Sequence, residues 1–131
     1  MERMIDVLVV EPLKKPYVKT IEAGLQSMQH EVDGYIQAVY PFEDPVALIC
    51  NEEAKIESKP LNRVLRDDDG CIYDVVAGTF FLAGLEDGNF GSLCDELIEK
   101  YTDYYKVPEA FAVVGDKIVL IELPEKGDEN E

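Results

Sequence analysis

Apolar residues alternate with polar ones, or run together, over Ile5–Val10, Val18–Ile21, Tyr35–Tyr40, Val46–Cys50, Ile72–Val76, Thr79–Leu82, Ala112–Val114 and Ile118–Leu123. These stretches are short and rich in Val, Ile, Phe and Tyr, a pattern that predicts strands. Gly115-Asp116 is a polar turn between the last two, so they are expected to form a hairpin. Ala77-Gly78 predicts a further turn or a bulge. Two segments follow helical spacing instead. Ile21, Leu25, Met28 and Val32 recur at i, i+4, i+7 and i+11 ahead of Gly34, which suits a C-terminal cap. Leu93, Leu97, Ile98, Tyr101, Tyr104 and Tyr105 do the same, with Ser92 as the expected N-cap, Asp95 completing a capping-box arrangement and Pro108 forbidding continuation. A short helical turn is expected at Pro60–Arg66, where Leu61, Val64 and Leu65 share a face.

This order lacks the regular β-α alternation that forces a parallel sheet. The expected class is therefore α+β: a single domain over residues 1–123, its curved, mostly antiparallel sheet carrying two main helices. Glu125–Glu131 has nothing apolar to bury, so residues 124–131 are expected to form a disordered acidic tail. The 131 residues, 47% hydrophobic and 31% charged, suit one globular core. No apolar run approaches the roughly 18 residues of a spanning helix, and Met1-Glu2-Arg3-Met4 leads into an alternating segment rather than a secretion signal. Cys50, Cys71 and Cys94 show no C-x-x-C spacing; they fit a reducing cytoplasm and are expected to be small buried side chains.

The residue types that perform chemistry do not assemble into a recognisable set. His30 is the only histidine, and no Ser or Cys is locally linked to it as a nucleophile would be. An EF-hand loop starting at Asp67 would need an oxygen ligand at its fifth position and a bidentate Glu at its twelfth; these are Cys71 and Gly78. Asp67-Asp68-Asp69-Gly70 reads instead as a polar turn with Gly70 at positive φ. Zinc held by Cys50, Cys71, Cys94 and His30 would require four separate elements to converge. The glycines of Gly78–Gly91 fit neither a dinucleotide fingerprint nor a P-loop, and Glu86 and Asp87 would repel a phosphate. No catalytic residue, cofactor or metal is expected.

Charge is the informative feature. The net charge is −16, which argues against direct binding to nucleic acid or to an anionic membrane. It is also lopsided: Met1–Arg66 holds eleven acidic and eight basic residues, whereas Asp67–Glu131 holds seventeen and four. Asp95, Glu99 and Asp103 fall at i, i+4 and i+8 on the second helix, one row of like charges that Glu96–Lys100 alone offsets. Because the apolar side of that helix must face the core, the row is expected to point outward. Together with Asp67, Asp68, Asp69, Glu86 and Asp87, these residues and Glu96 form the expected partner-binding surface. Carboxylates so spaced imitate a phosphate backbone and suit a basic groove.

The stretches VEPLKKPYVKTIEAGLQSMQHEVDGYIQAVYPFEDPVALICNEEAK, PLNRVLRDDDGCIYDVVAGTFFLAGL and FGSLCDELIEKY resemble a family of small proteins of unknown function carried by conjugative elements, phages and genomes of gut Firmicutes. The resemblance runs from about Val10 to Phe111 and brings no catalytic residues with it. It implies a mobile-element accessory protein, in company where anti-restriction and anti-CRISPR functions are common. The expected function is thus non-enzymatic: inhibition of a basic nucleic-acid-binding protein, a Cas9-type effector or a restriction enzyme, by occupying its DNA- or RNA-binding surface. The alternative is a metal- or small-molecule-binding accessory protein that uses the Asp67–Asp69 loop.

Overall fold

The computed structural model describes residues 3–122. Its strands and helices run β1 (Met4–Val10), β2 (Tyr17–Glu22), α1 (Leu25–Val32), β3 (Ile36–Val39), β4 (Val46–Asn51), β5 (Leu61–Arg66), β6 (Ile72–Ala77), β7 (Phe80–Glu86), β8 (Asn89–Gly91), α2 (Asp95–Tyr104), β9 (Glu109–Val114) and β10 (Lys117–Glu122). The main sheet has the order β2-β1-β7-β4-β3, with β8 also pairing β7; β5–β6 and β9–β10 are separate two-stranded sheets. Every pairing is antiparallel, and the fold is α+β. The acidic tail expected from residue 124 lies outside the described residues.

The three central strands explain why their sequences read as continuous apolar runs. Successive side chains of a strand point to opposite faces. In β1, Ile5, Val7 and Val9 join one apolar cluster while Leu8 and Val10 join the other. Phe81 and Ala83 of β7, with Ala47 and Ile49 of β4, belong to the first; Phe80, Leu82, Val46 and Leu48 belong to the second. Met28 and Val32 of α1 complete the first cluster. Leu93 and Tyr101 and Tyr105 of the α2 segment, with Leu65 and Val76 of the β5–β6 hairpin, complete the second. A strand covered on both faces has no polar face to show, so alternation disappears.

Four local expectations are corrected. Pro60–Arg66 is not helical: residues 61–66 form β5, because Asn62 donates to the carbonyls of Val10 (3.0 Å) and Gly78 (2.8 Å) and the strand pairs with β6. Ile21 is a core residue of β2 and α1 starts only at Leu25, which is exposed. Ser92 does not cap α2. Its Oγ accepts the Asp6 N–H at 2.9 Å, and Cys94 takes the N-cap position without a side-chain bond. Of the cysteines only Cys50 is buried; Cys71 follows the turn glycine and Cys94 sits at the helix start, and both are exposed.

Candidate functional site

Asp67–Gly70 joins β5 to β6. Asp67 Oδ1 accepts the N–H groups of Asp69 (3.0 Å) and Cys71 (2.9 Å), while Gly70 adopts φ +83°. An Asp that satisfies the backbone of its own turn is the local reason the chain reverses here. Asp68 and Asp69 stay exposed. Asp67 Oδ1 is thus occupied by two backbone donors. Among the described residues, no three His, Cys, Asp or Glu side chains are placed to hold a metal ion.

On α2, Tyr101 is buried and Leu97 and Ile98 are half-buried, whereas Asp95, Glu96, Glu99 and Asp103 are all exposed. The acidic row points outward for the reason periodicity gives: the opposite side of the helix completes the core. Asp95 and Glu96 lie in the first turn, where the helix dipole favours negative charge. Lys100 does not offset Glu96. It reaches Asp44 Oδ2 at 2.6 Å, and the Tyr101 hydroxyl donates to the same oxygen at 2.7 Å. Residues 41–44, before β4, are in this way clamped onto the helix, with the Phe42 ring 4.5 Å from that of Tyr101.

The Lys100 ammonium first, and the Tyr101 hydroxyl after it, hold the Asp44 carboxyl below the ordinary aspartate range; burial, and then the bond to Asp44, push the Tyr101 phenol upward. A carboxyl depressed in the folded state contributes stability above its unfolded pKa, and that contribution is lost as pH falls through the lower folded value. The clamp is therefore expected to hold above about pH 4 and to open progressively below it. Asp44→Asn should remove that part of the acid dependence of Tm. An identical acid slope in the variant would show that the clamp adds nothing.

Between residues 41–44, α2 and the Asp67–Gly70 turn lies an open groove of about 460 Å³, lined among others by Phe42, Asp44, Asp67, Asp68, Tyr101 and Tyr104. Two of the sequence-predicted acidic segments, the turn and the helix, thus border one groove, though the helix lends it Lys100, Tyr101, Tyr104 and Tyr105 rather than the Asp95, Glu99 and Asp103 row. The third does not join them. Glu86 and Asp87 line a separate hollow with Arg3, Met28 and Phe90 on the α1 side of the sheet, where Glu86 accepts from Arg3 at 2.9 Å. His30 is exposed on α1. Sequence reasoning missed Phe42 and Asp44, whose role depends on a fold-back onto a helix more than fifty residues away. The flanking prolines of PFEDP, Pro41 and Pro45, mark a loop but not what that loop touches.

Among the described residues, no helix is long and apolar enough to cross a membrane. No curated protein and no solved structure matches the chain. Residues 4–106, from the first strand through α2, match the family model of a domain of unknown function, DUF3846, and the chain belongs to that family.

Proposed function

We propose that this protein is a non-enzymatic, acidic binding protein of a mobile element that inhibits a nucleic-acid-handling defence protein, of the anti-CRISPR or anti-restriction type, by occupying its basic DNA- or RNA-binding surface. The observation that carries this reading is the α2 row: three exposed carboxylates on one helix face, of which, among the described residues, only Asp103 has an ion pair, to Lys106 at 3.1 Å. An exposed pair of that kind contributes little to stability, so the row is free to serve a partner. Asp68, which lines the groove beside α2, and the exposed Asp69 next to it add negative charge on the β5–β6 turn. Long-range attraction would then raise the rate of encounter with a basic groove, and salt would weaken it.

The test is competition. Labelled DNA bound to a candidate Cas9-type effector or restriction enzyme should be displaced by this protein at low salt and much less at high salt. Changing Asp95, Glu99 and Asp103 together to Lys should leave Tm near the wild-type value: the new row repels itself as the old one did and the first turn loses an acidic residue, but the strongly negative chain becomes less charged and Glu96 gains a cationic neighbour at position 99. The same variant should bind the effector at least about tenfold more weakly. If it competes as well as wild type, the row is only a solvated face.

A further inference from the structure

The groove beside α2 is more than a patch of carboxylates. Tyr104 is 51% exposed, yet its ring is fixed by three neighbours: Tyr105 at 4.8 Å, Phe42 at 5.9 Å and Tyr101 at 6.0 Å, each close to edge-on. Phe42 and Tyr104 stand at 89° to one another, so a half-buried ring and an exposed ring form an aromatic corner. Ordering a half-exposed ring costs side-chain entropy that its partial burial offsets only in part, and a ring ordered in advance spares that cost when a ligand binds. Hot spots of protein interfaces are built from such pre-ordered tyrosines.

The charge around the corner selects what could enter. Glu43, Asp44, Asp67 and Asp68 line the groove against two cations, Arg66 and Lys100. Lys100 is bound to Asp44, and Arg66 donates to the Gly70 carbonyl at 3.2 Å. An anion would meet excess negative charge here; a cation would be attracted. The fold already contains one example of the arrangement: Lys100 Nζ lies 5.4 Å from the Tyr101 ring centroid while bonded to a carboxylate. Phe42, Tyr104 and Asp68 line the groove together, which brings the same two kinds of group, rings and a carboxylate, to one opening.

We infer that this groove receives an arginine side chain from the basic protein partner, its guanidinium stacked on the Tyr104 ring and directed toward the Asp68 carboxylate. The inference rests on the inhibitor reading above and specifies how the partner is held. Arginine fits better than lysine because its planar, weakly hydrated guanidinium stacks on an aromatic face while its forked donors reach a carboxylate, whereas an ammonium keeps its water.

Fluorescein-labelled hexa-arginine and hexa-lysine peptides, titrated with the full chain at low salt, separate stacking from simple charge attraction. The expected result is that hexa-arginine binds about 2–5-fold more tightly than hexa-lysine. Tyr104→Ala should abolish this preference while leaving hexa-lysine affinity unchanged, and Tyr104→Phe, which keeps the ring, should preserve it. Equal affinity for the two peptides, or a preference that survives Tyr104→Ala, overturns the arginine site alone and leaves an acidic surface that binds cations without selection. If neither peptide binds, both the arginine site and the acidic-surface reading fail.

Discussion

Replacing Arg63 by alanine is expected to lower stability by about 3–5 kcal/mol, a large share of the roughly 5–15 kcal/mol that holds an ordinary domain together. Arg63 is on β5 with 1% of its surface exposed. Its Nη1 donates to Asn62 Oδ1 at 2.8 Å, and its Nη2 donates to the carbonyls of Lys14 and Tyr105, each at 2.8 Å. Tyr105 is the C-cap of α2, and the last turn of that helix has no basic residue of its own. A guanidinium from another element therefore supplies the positive charge that a helix C-terminus favours. Burial pushes the Arg63 pKa down, and nearby Glu109 and Tyr105 oppose the shift; an arginine so placed keeps its proton. Alanine would leave a cavity and deprive buried acceptors of their donor, two losses that act together. Arg63→Met, which refills most of the space but restores no donor, should recover part of the loss. Urea denaturation measures both variants. A cost below about 1 kcal/mol for Arg63→Ala would show that the three elements hold together without it.

Gly84→Ala is expected to cost about 2–3 kcal/mol and to lower Tm by roughly 5–15 °C, through steric conflict rather than lost contacts. A Cβ on Gly84 would stand 2.2 Å from the Ser92 carbonyl oxygen and 3.0 Å from its carbon. Both obstacles are backbone atoms of the segment that leads into α2, and no side-chain rotation can clear them. That segment is fixed from the other side as well: Leu93 N–H donates to the Asp6 carbonyl at 2.9 Å, and Ser92 Oγ accepts the Asp6 N–H at 2.9 Å. The methyl group can be fitted only by moving the start of the acidic helix off the sheet. Thermal unfolding reads the effect directly, and a variant with wild-type Tm would mean that the segment is not held at Gly84.

Arg63 was legible in the sequence only as an unremarkable cation in a stretch that fits a helical turn. Leu61, Val64 and Leu65 do share a helical face, but what decides the conformation of residues 61–66 is pairing with β6 and the two carbonyls that Asn62 reaches. Ser92 likewise satisfies the local rule for a capping residue, and a strand eighty-six positions earlier claims its hydroxyl. In both cases a tertiary hydrogen bond outweighs a local preference worth about 1 kcal/mol. By contrast, the α2 register and the β9–β10 hairpin followed from spacing and turn residues alone, since each is closed within a few residues.

For the candidate site the division follows the same physics. Sequence alone determined that Asp95, Glu99 and Asp103 leave the core, because a helix that buries Leu97 and Tyr101 must turn that row toward solvent. It also determined that Asp67–Gly70 is a turn, because Asp and Gly satisfy its backbone locally. Only the tertiary structure decided that the turn and the helix share a groove, that Phe42 and Asp44 close one side of it, and that Glu86 and Asp87 lie on the opposite side of the sheet. Periodicity records that a residue faces inward or outward. It holds no information on which distant surface becomes its neighbour, because that is set by the order in which antiparallel strands pair and by the sheet face onto which each helix folds.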